Sequence, residues 1–258
     1  MSKKLVIVAV VTIVAIVVGL VIWTQYGTFN VQPLPQPTAT PTPTETPNEP
    51  EPTSTTIFSD GFETGTTGVW TSTRGTMQVD SNANSGKYAY QFSIEGASQL
   101  TSGSYVSKRF EPETTVSAGG YIYIPVLPDM IEGDRVYFVI ISSDYAPLAY
   151  AGIVQYEDGL KWQVMTRDGE DLVTQGHGTV SAGKYYSVQL AWSEGEGTTG
   201  FAKLYIDGSL MGDITGVDTS FFGDANRVTF GISEKTGSAF PFEVTCDDFT
   251  LLNSATPG

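Results

Sequence analysis

The sequence is poor in cysteine, with one in 258 residues. A single thiol excludes an intramolecular disulfide, so the fold has to be held by its core, with or without a bound ion. Cys246 lies in the largely apolar run 242–252 and is followed by two aspartates. Because a reactive thiolate needs cationic neighbours, we expect Cys246 to be a small buried side chain.

Histidine is equally scarce. His177 is the one histidine of the chain and stands between two glycines, a setting typical of a loop residue rather than of a catalytic base. The sequence contains no Ser-His-Asp order, phosphate-binding loop, zinc-ligand spacing or nucleotide fingerprint. It therefore gives no positive support for an enzyme.

Basic residues are outnumbered, with 13 Lys and Arg against 28 Asp and Glu and a formal net charge of -15. This balance makes nucleic acid a poor partner. A secreted surface protein, a calcium-binding protein and a salt-tolerant protein all fit the acidity equally well.

Residues 5–23 form a run of nineteen residues without a charge. At ~1.5 Å per residue, a helix of this length spans a bilayer core of about 30 Å. No small-residue cleavage pattern follows, and Trp23 and Tyr26 suit a membrane interface. We therefore expect an uncleaved signal anchor, with a cleaved signal peptide as the alternative. Lys3 and Lys4 place residues 1–4 in the cytoplasm, so a single-pass cell membrane protein with its C-terminal part outside is predicted.

Residues 24–56 are predicted to be an extracellular stalk. From residue 32 onwards this segment is rich in Pro, Thr and Glu and has no apolar periodicity. Such a composition favours an extended, partly polyproline chain of ~3 Å per residue, which would hold the next domain several nanometres from the membrane. It is typical of O-glycosylated stalks and equally of plain disordered spacers.

Residues 57–258 are predicted to form one all-β domain. Alternation in Lys184–Ser193 and in Gly200–Ile206 predicts two strands, and Asp207-Gly208 predicts a tight turn onto a third at 209–214. The run 135–141 is almost continuously apolar and predicts a central strand covered on both faces. Further strands are predicted at 87–94, 104–110, 114–124, 149–155, 160–166, 227–232 and 240–252. About a dozen strands without a soluble helix indicate a two-sheet antiparallel jelly-roll sandwich.

The two ends of this domain carry short motifs. Asp60-Gly61-Phe62-Glu63 precedes Trp70, and D-D-F-x-L occupies 247–251. Both motifs resemble the end strands of the concanavalin A-like (laminin G-like) jelly-roll superfamily. The resemblance implies that the first and last strands lie side by side near a structural calcium ion. Its implied ligands are Glu63 and Asp248, with Asp247 and Asp60 as weaker ligands.

Calcium takes six to eight oxygen ligands and tolerates such mixtures of carboxylates and carbonyls. Because adjacent strand residues point to opposite faces, we expect at most one of Asp247 and Asp248 to point inward. The alternative is that Asp60 belongs to a turn and that the other acids are solvated.

Catalytic members of this superfamily carry E-x-D-x-x-E on one strand. The nearest match here, residues 132–137, ends in Tyr137 instead of Glu. The resemblance therefore implies a non-catalytic member.

Carbohydrate sites need aromatic rings for stacking and amides or carboxylates for the hydroxyls. The predicted ligand-binding residues are Trp162, Tyr150, Tyr137, Tyr156 and Gln163, and the alternative for each aromatic is a core position. Trp162 and Gln163 fall on opposite faces of one strand, and either face could meet the ligand. Trp192 shares its face with Val188 and Leu190 and is expected in the core.

The sequence thus predicts a cell-surface carbohydrate-binding or adhesion module on a stalk, with a structural calcium ion. Two alternatives stay open: a surface-layer or adhesion component that binds a protein, and a glycan-cleaving hydrolase or lyase with an atypical active site. Two carboxyl groups about 5–10 Å apart in a cleft would favour the hydrolase.

Overall fold

A computed structural model of the chain describes residues 54–96 and 103–254. These residues form fifteen β-strands and no helix, and so none that could cross a membrane. The strands are β1 (Thr55–Asp60), β2 (Ser72–Arg74), β3 (Thr76–Asp80), β4 (Ala89–Ile94), β5 (Ser104–Glu113), β6 (Thr115–Ile124), β7 (Arg135–Ser142), β8 (Pro147–Tyr156), β9 (Gly159–Asp168), β10 (Asp171–His177), β11 (Lys184–Ser193), β12 (Gly200–Ile206), β13 (Ser209–Val217), β14 (Ala225–Thr236) and β15 (Phe242–Asn253). The predicted anchor at 5–23 and most of the predicted stalk lie outside the described residues.

The strands form two antiparallel sheets, as the sequence predicts for a β-sandwich. Sheet 1 has eight strands in the order β13-β12-β11-β6-β15-β4-β3, with β1 pairing along the last part of β15. Sheet 2 has seven strands in the order β10-β9-β8-β7-β14-β5-β2. The first and last strands are therefore neighbours. β1 begins at Thr55, two residues before the predicted start of the domain.

The inner faces of the two sheets pack on each other to form the core. Trp192 is fully buried there, as predicted from its strand face. Cys246 is also buried and unpaired, and burial raises the pKa of its thiol well above the ordinary value, which fits the predicted structural role. Residues Pro50–Gly258 form one compact unit that contains the whole of this core, so a fragment with these bounds carries its own core.

The hairpin between β12 and β13 is closed by the predicted turn. Asp207 and Gly208 have φ values of 51° and 75°. Two successive residues with positive φ are what a two-residue hairpin turn of the primed type requires, because its twist matches that of the strands. The turn prediction is confirmed.

The prediction for the run 135–141 needs correction. β7 is central in sheet 2, but no strand among the described residues packs over its outer side. Tyr137 and Ile140, which point outward, are buried instead by Tyr150 and Met165 on the same face. The run is continuously apolar because one side faces the core and the other forms this small separate cluster.

Candidate functional site

The outer face of sheet 2, which we call the sheet 2 face, carries mostly polar and aromatic side chains, many of them buried or half-buried. Its members alternate along each strand with core residues, so register brings them together. By strand they are Tyr105, Ser107 and Arg109 (β5), Arg135, Tyr137, Ile140 and Ser142 (β7), Tyr150, Gly152 and Tyr156 (β8), Gln163 and Met165 (β9), and Arg227, Thr229 and Glu234 (β14).

A row of residues crosses the centre of this face from β14 to β10. Glu234 lies opposite Tyr137, then follow Gly152, Gln163 and Gly176 on successive strands. The hydroxyl of Tyr137 donates to Gln163 Oε1 at 2.9 Å, passing over Gly152. A Cβ at Gly152 would lie 2.0 Å from the carbonyl oxygen of Val136, so this position accepts no side chain without a backbone shift. The glycine therefore permits the bond between β7 and β9.

The floor of the face is aromatic. The rings of Tyr137 and Tyr150 pack with their centroids 4.9 Å apart, and Tyr137 is only 1% exposed. Burial raises the pKa of Tyr137 to about 12, although the nearby Arg135 acts in the opposite direction. Burial, together with the charge of Glu234, also raises the pKa of Tyr150. Both phenols are therefore neutral hydrogen-bonding groups at ordinary pH.

Beside this floor lies an open groove of about 460 Å³. Its lining is mostly polar: Thr71, Ser72, Tyr105, Ser107, Arg109, Ile140, Ser142, Pro147, Arg227, Thr229, Ser233 and Glu234. Burial raises the pKa of the Glu234 carboxyl, which is the one carboxylate of this lining. The volume falls within the range of small-ligand sites.

Two polar atoms on the sheet 2 face are buried without a hydrogen-bond partner among the described residues. They are the hydroxyl of Thr229, which lines the groove, and Nε of Arg135, beyond Tyr137 on β7. Buried polar groups in proteins are nearly always hydrogen-bonded to protein, water or ligand. Unmet donors on a face that no strand covers are consistent with a site for a polar ligand.

The structure places four of the five predicted ligand-binding residues on this face. Tyr137, Tyr150, Tyr156 and Gln163 lie there together. Trp162 does not, because it is 1% exposed and packs edge-on against Phe138 and Tyr186 inside the core. Of the two faces of β9 that the sequence left open, the one with Gln163 and Met165 faces outward.

Sequence reasoning missed Glu234, Thr229 and the arginines on β5, β7 and β14. The available signal was the alternation of Arg227 and Thr229 with Val228 and Phe230, which marks one side of a strand as polar. The predicted ligand-binding residues did not include Tyr145, although it is one of the aromatics in the middle of the domain. This residue is 86% exposed in the turn between β7 and β8, next to Asp144, which pairs with Arg109.

The residues considered for catalysis are not assembled on the sheet 2 face. Asp134 is buried and accepts hydrogen bonds from the backbone N–H groups of Ile131 and Ser238, which is a structural role. His177 is the last residue of β10 rather than a loop residue, and it pairs with Trp162, on the other side of the sheet from Gln163. The groove lining contains Glu234 but no second carboxyl to pair with it.

The predicted calcium ligands lie together at the corner where β1 meets β15. Asp60 accepts hydrogen bonds from the N–H groups of Phe62 and of the Trp70 indole. Glu63 accepts from the backbone N–H groups of Lys87 and Tyr88. Each of these carboxylates is thus already bound by N–H donors.

Asp247 and Asp248 both point to the same loop, contrary to the expected alternation. Asp247 accepts from the N–H groups of Asn84 and Ser85, and Asp248 accepts from their side chains. The cause is a register shift after Asp247, where Asp248 adopts a φ of 49°. Within the described ranges no three acidic, histidine or cysteine side chains form a group suited to a metal, so the fit to calcium is partial and calcium stays a prediction.

No family model matches this chain, and no curated protein matches it in sequence. Solved structures do match its fold. An endo-β-1,4-glucuronan lyase from the fungus Trichoderma reesei is 18% identical with a TM-score of 0.57, covering 76% of this chain and 95% of that one. The cellulose-induced protein Cip1 is 17% identical with a TM-score of 0.56, covering 78% and 99%. A carbohydrate esterase from the Shiga toxin-encoding bacteriophage phi24B is 15% identical with a TM-score of 0.51, covering 78% and 99%. At these identities the likeness shows that the chain shares a β-sandwich fold with these proteins.

Proposed function

We propose that this protein is a carbohydrate-binding module whose site is the groove and tyrosine floor of the sheet 2 face. The observation that carries the proposal is the set of buried polar groups on a sheet face that no described strand covers. Such groups are costly unless a polar partner satisfies them, and sugar hydroxyls provide both donors and acceptors. The glycan-acting proteins that share the fold support this choice.

Some residues of the site would hydrogen-bond the sugar, and others would stack on it. Glu234, Gln163 and the tyrosine hydroxyls supply acceptors and donors for sugar hydroxyls. Tyr145 is exposed in the turn between Ser142 and Pro147 of the groove lining, and Tyr156 is half-buried beside Gln163; both offer ring faces for stacking. Aromatic rings combined with a few fixed polar groups are the usual composition of a carbohydrate site.

Binding without cleavage is the function that this arrangement supports best. Hydrolysis of a glycosidic bond usually requires two carboxyl groups, and the groove offers Glu234 alone. A base for β-elimination needs a pKa near the working pH, whereas burial raises the pKa of Tyr137 to about 12. The protein-binding alternative would use the exposed apolar residues Val126, Leu127 and Ile131, which lie outside the groove.

A glycan array on residues 50–258 tests the proposal, followed by titration of the strongest ligand. Tyr145→Ala should weaken binding about tenfold with little change in stability, because the side chain is exposed. The matched control is Tyr121→Ala, which removes a partly exposed tyrosine from the outer side of sheet 1 and should leave binding unchanged. An array without any bound glycan, or equal losses in the two variants, would overturn the proposal.

We also propose that the module is displayed outside the cell by the N-terminal anchor and the Pro/Thr-rich stalk. The support is the uncharged run at 5–23 behind two lysines. Protease treatment of intact cells should release the domain, and fractionation should leave an N-terminal fragment in the membrane. A domain that intact cells protect from protease would contradict this topology.

A further inference from the structure

All five arginines of the chain occupy outward positions on sheet 2. They are Arg74, Arg109, Arg135, Arg167 and Arg227, and each lies in register with outward-facing neighbours on the adjacent strand. Lys161 joins them opposite Val154 and pairs with Asp158 at 2.6 Å. The arginines of a chain with a net charge of -15 are thus concentrated on one face.

Two of these arginines face each other. Arg109 on β5 lies directly opposite Arg227 on β14, and both line the groove. Like charges in directly opposite positions destabilise a sheet. The neighbouring acid is Asp144, which pairs with Arg109 at 2.9 Å in a half-exposed salt bridge, while Arg227 contacts the carbonyl oxygen of Ser143 at 3.4 Å. Asp144 thus neutralises Arg109, whereas Arg227 has a carbonyl contact and shares the groove with the carboxyl group of Glu234.

A second cationic position lies at the other end of the tyrosine floor. Arg135 and Lys161 flank Val154 on neighbouring strands, and the buried Nε of Arg135 has no partner among the described residues. Arg135 and Ser142, the neighbour of Arg227, are the two ends of β7. Seven residues at ~3.3 Å each separate them by ~23 Å. A ligand that reaches both ends is a chain of several sugars.

The use of arginine rather than lysine indicates the chemistry of the ligand. Guanidinium presents a planar fork that binds carboxylate and sulfate groups through two parallel hydrogen bonds, whereas ammonium is a point charge. Arg167 is held by the carbonyls of Pro147 and Glu170 and lies outside the groove lining. Arg109 and Arg227 line the groove, and Nε of Arg135 has no partner among the described residues, so these three are the positions assigned to a ligand.

Building on the carbohydrate-binding function proposed above, we infer that the ligand is a linear anionic polysaccharide. Arg109 and Arg227 bind its acidic groups at one end of the sheet 2 face, and Arg135 binds them at the other. The neutral tyrosine floor between these ends contacts the sugar rings. The negative charge of the rest of the surface adds selectivity, since it repels polyanions from other faces.

Titrations of residues 50–258 with three probes test this inference. Polygalacturonate carries carboxylates, dextran sulfate carries sulfates, and dextran is neutral. We expect at least one polyanion to bind tenfold or more tightly than dextran, with binding that weakens as NaCl is raised to 0.5 M. The better of the two polyanions identifies the acidic group.

The double variant R109Q/R227Q should weaken binding of that polyanion by tenfold or more. K184Q/K203Q removes the same number of charges from two lysines of sheet 1 that also pair with aspartates, and it should change affinity less than twofold. R109K/R227K keeps the positive charges but loses the planar guanidinium fork, so its affinity for the polyanion should lie between those of wild type and R109Q/R227Q. If R109Q/R227Q does not fold, R109K/R227K serves as the test variant.

Four results separate this inference from the function on which it rests. Equal losses in the arginine and lysine variants, or dextran binding as tight as polyanion binding, would overturn the inference. If a neutral glycan binds as tightly as the polyanions and Tyr145→Ala abolishes its binding, the carbohydrate function stands and the anionic ligand is rejected. Failure of every glycan to bind would reject both.

Discussion

The outer faces of the two sheets differ in how their charges are arranged. On sheet 1, Lys203 lies opposite Asp213 on the neighbouring strand, a pairing of opposite charges with 3.7 Å between Nζ and Oδ1. On sheet 2, Arg109 lies opposite Arg227, a pairing of like charges. On sheet 1 the opposite charges pair with each other, whereas on sheet 2 Arg109 pairs with Asp144 of a neighbouring turn and Arg227 contacts the carbonyl oxygen of Ser143.

The two faces also differ in their tyrosines. Tyr185 on sheet 1 is half-buried, and its hydroxyl donates to the backbone carbonyl of Asn82. On sheet 2, Tyr137 is 1% exposed although no described strand covers it. The outer side of sheet 1 also contains fully buried side chains, Ser117 and Asp247, so the difference lies in the buried aromatic floor of sheet 2. Four experiments sharpen this contrast.

The largest effect is expected at the central glycines. A Cβ at Gly152 on sheet 2 would lie 2.0 Å from the Val136 oxygen, and one at Gly119 on sheet 1 would lie 1.9 Å from the Val188 oxygen. Both alanine variants should lose about 3 kcal/mol of unfolding free energy, measured by denaturant titration, because backbone has to move. Gly152→Ala should also weaken glycan binding by the folded protein, because the displaced backbone lies under the bond between Tyr137 and Gln163, whereas Gly119→Ala should not. Equal affinities in the two variants would argue against a site at Gly152.

The next effect concerns two tyrosine hydroxyls. Tyr137→Phe leaves the buried Oε1 of Gln163 without its donor and should cost about 2 kcal/mol. Tyr185→Phe removes a hydroxyl from a half-buried position and should cost about 1 kcal/mol or less. Chemical denaturation measures both, and a larger loss for Tyr185→Phe would contradict the assignment of the tighter network to sheet 2.

A pH-dependent effect is expected at Glu234. Burial raises the pKa of its carboxyl, so the folded state disfavours the charged form, and this penalty is absent at low pH and grows as pH rises through the folded-state pKa. The glutamine in Glu234→Gln has no titrating group, so the melting temperature of this variant should rise relative to that of wild type between pH 4 and pH 7. Glu243→Gln removes a carboxylate from an exposed position on sheet 1 and is the matched control. A difference between Glu234→Gln and wild type that does not change with pH would contradict the assigned burial.

The smallest effect is the predicted calcium stabilisation near β1 and β15. At 1 mM calcium and the weak affinities common in extracellular modules, binding adds about 0.4–1.4 kcal/mol. Melts of residues 50–258 should therefore shift slightly downward with EDTA, and the shift should vanish in Asp248→Asn. An unchanged midpoint in wild type would contradict calcium binding.

The sequence predicted the fold well where strands are central and poorly at the edges. The strands predicted at Lys184–Ser193 and Gly200–Ile206 have the observed bounds. The three strands that it missed, β2, β3 and β10, are all at the edges of their sheets. Edge strands have one unpaired side and little to bury, so their side chains are largely exposed and show no apolar alternation.

The site was predictable in part. Tyr137, Tyr150, Tyr156 and Gln163 come from consecutive strands, so a local pattern of aromatic and polar residues found them. Glu234 and Arg227 lie on β14, which reaches β7 through a connection of more than eighty residues, and no local pattern indicates that pairing. Trp162 was assigned to the ligand because its type suits sugars, although register turns its ring into the core.

Mapping of amide chemical shifts in residues 50–258, with an oligosaccharide of the best-binding polyanion, locates the binding site directly. A site on the sheet 2 face should give perturbations on β7, β8, β9 and β14 around Tyr137, Gln163 and Arg227, with sheet 1 unaffected. Perturbations confined to β6, β11 and β12, or to the corner of β1 and β15, would contradict a carbohydrate site on the sheet 2 face.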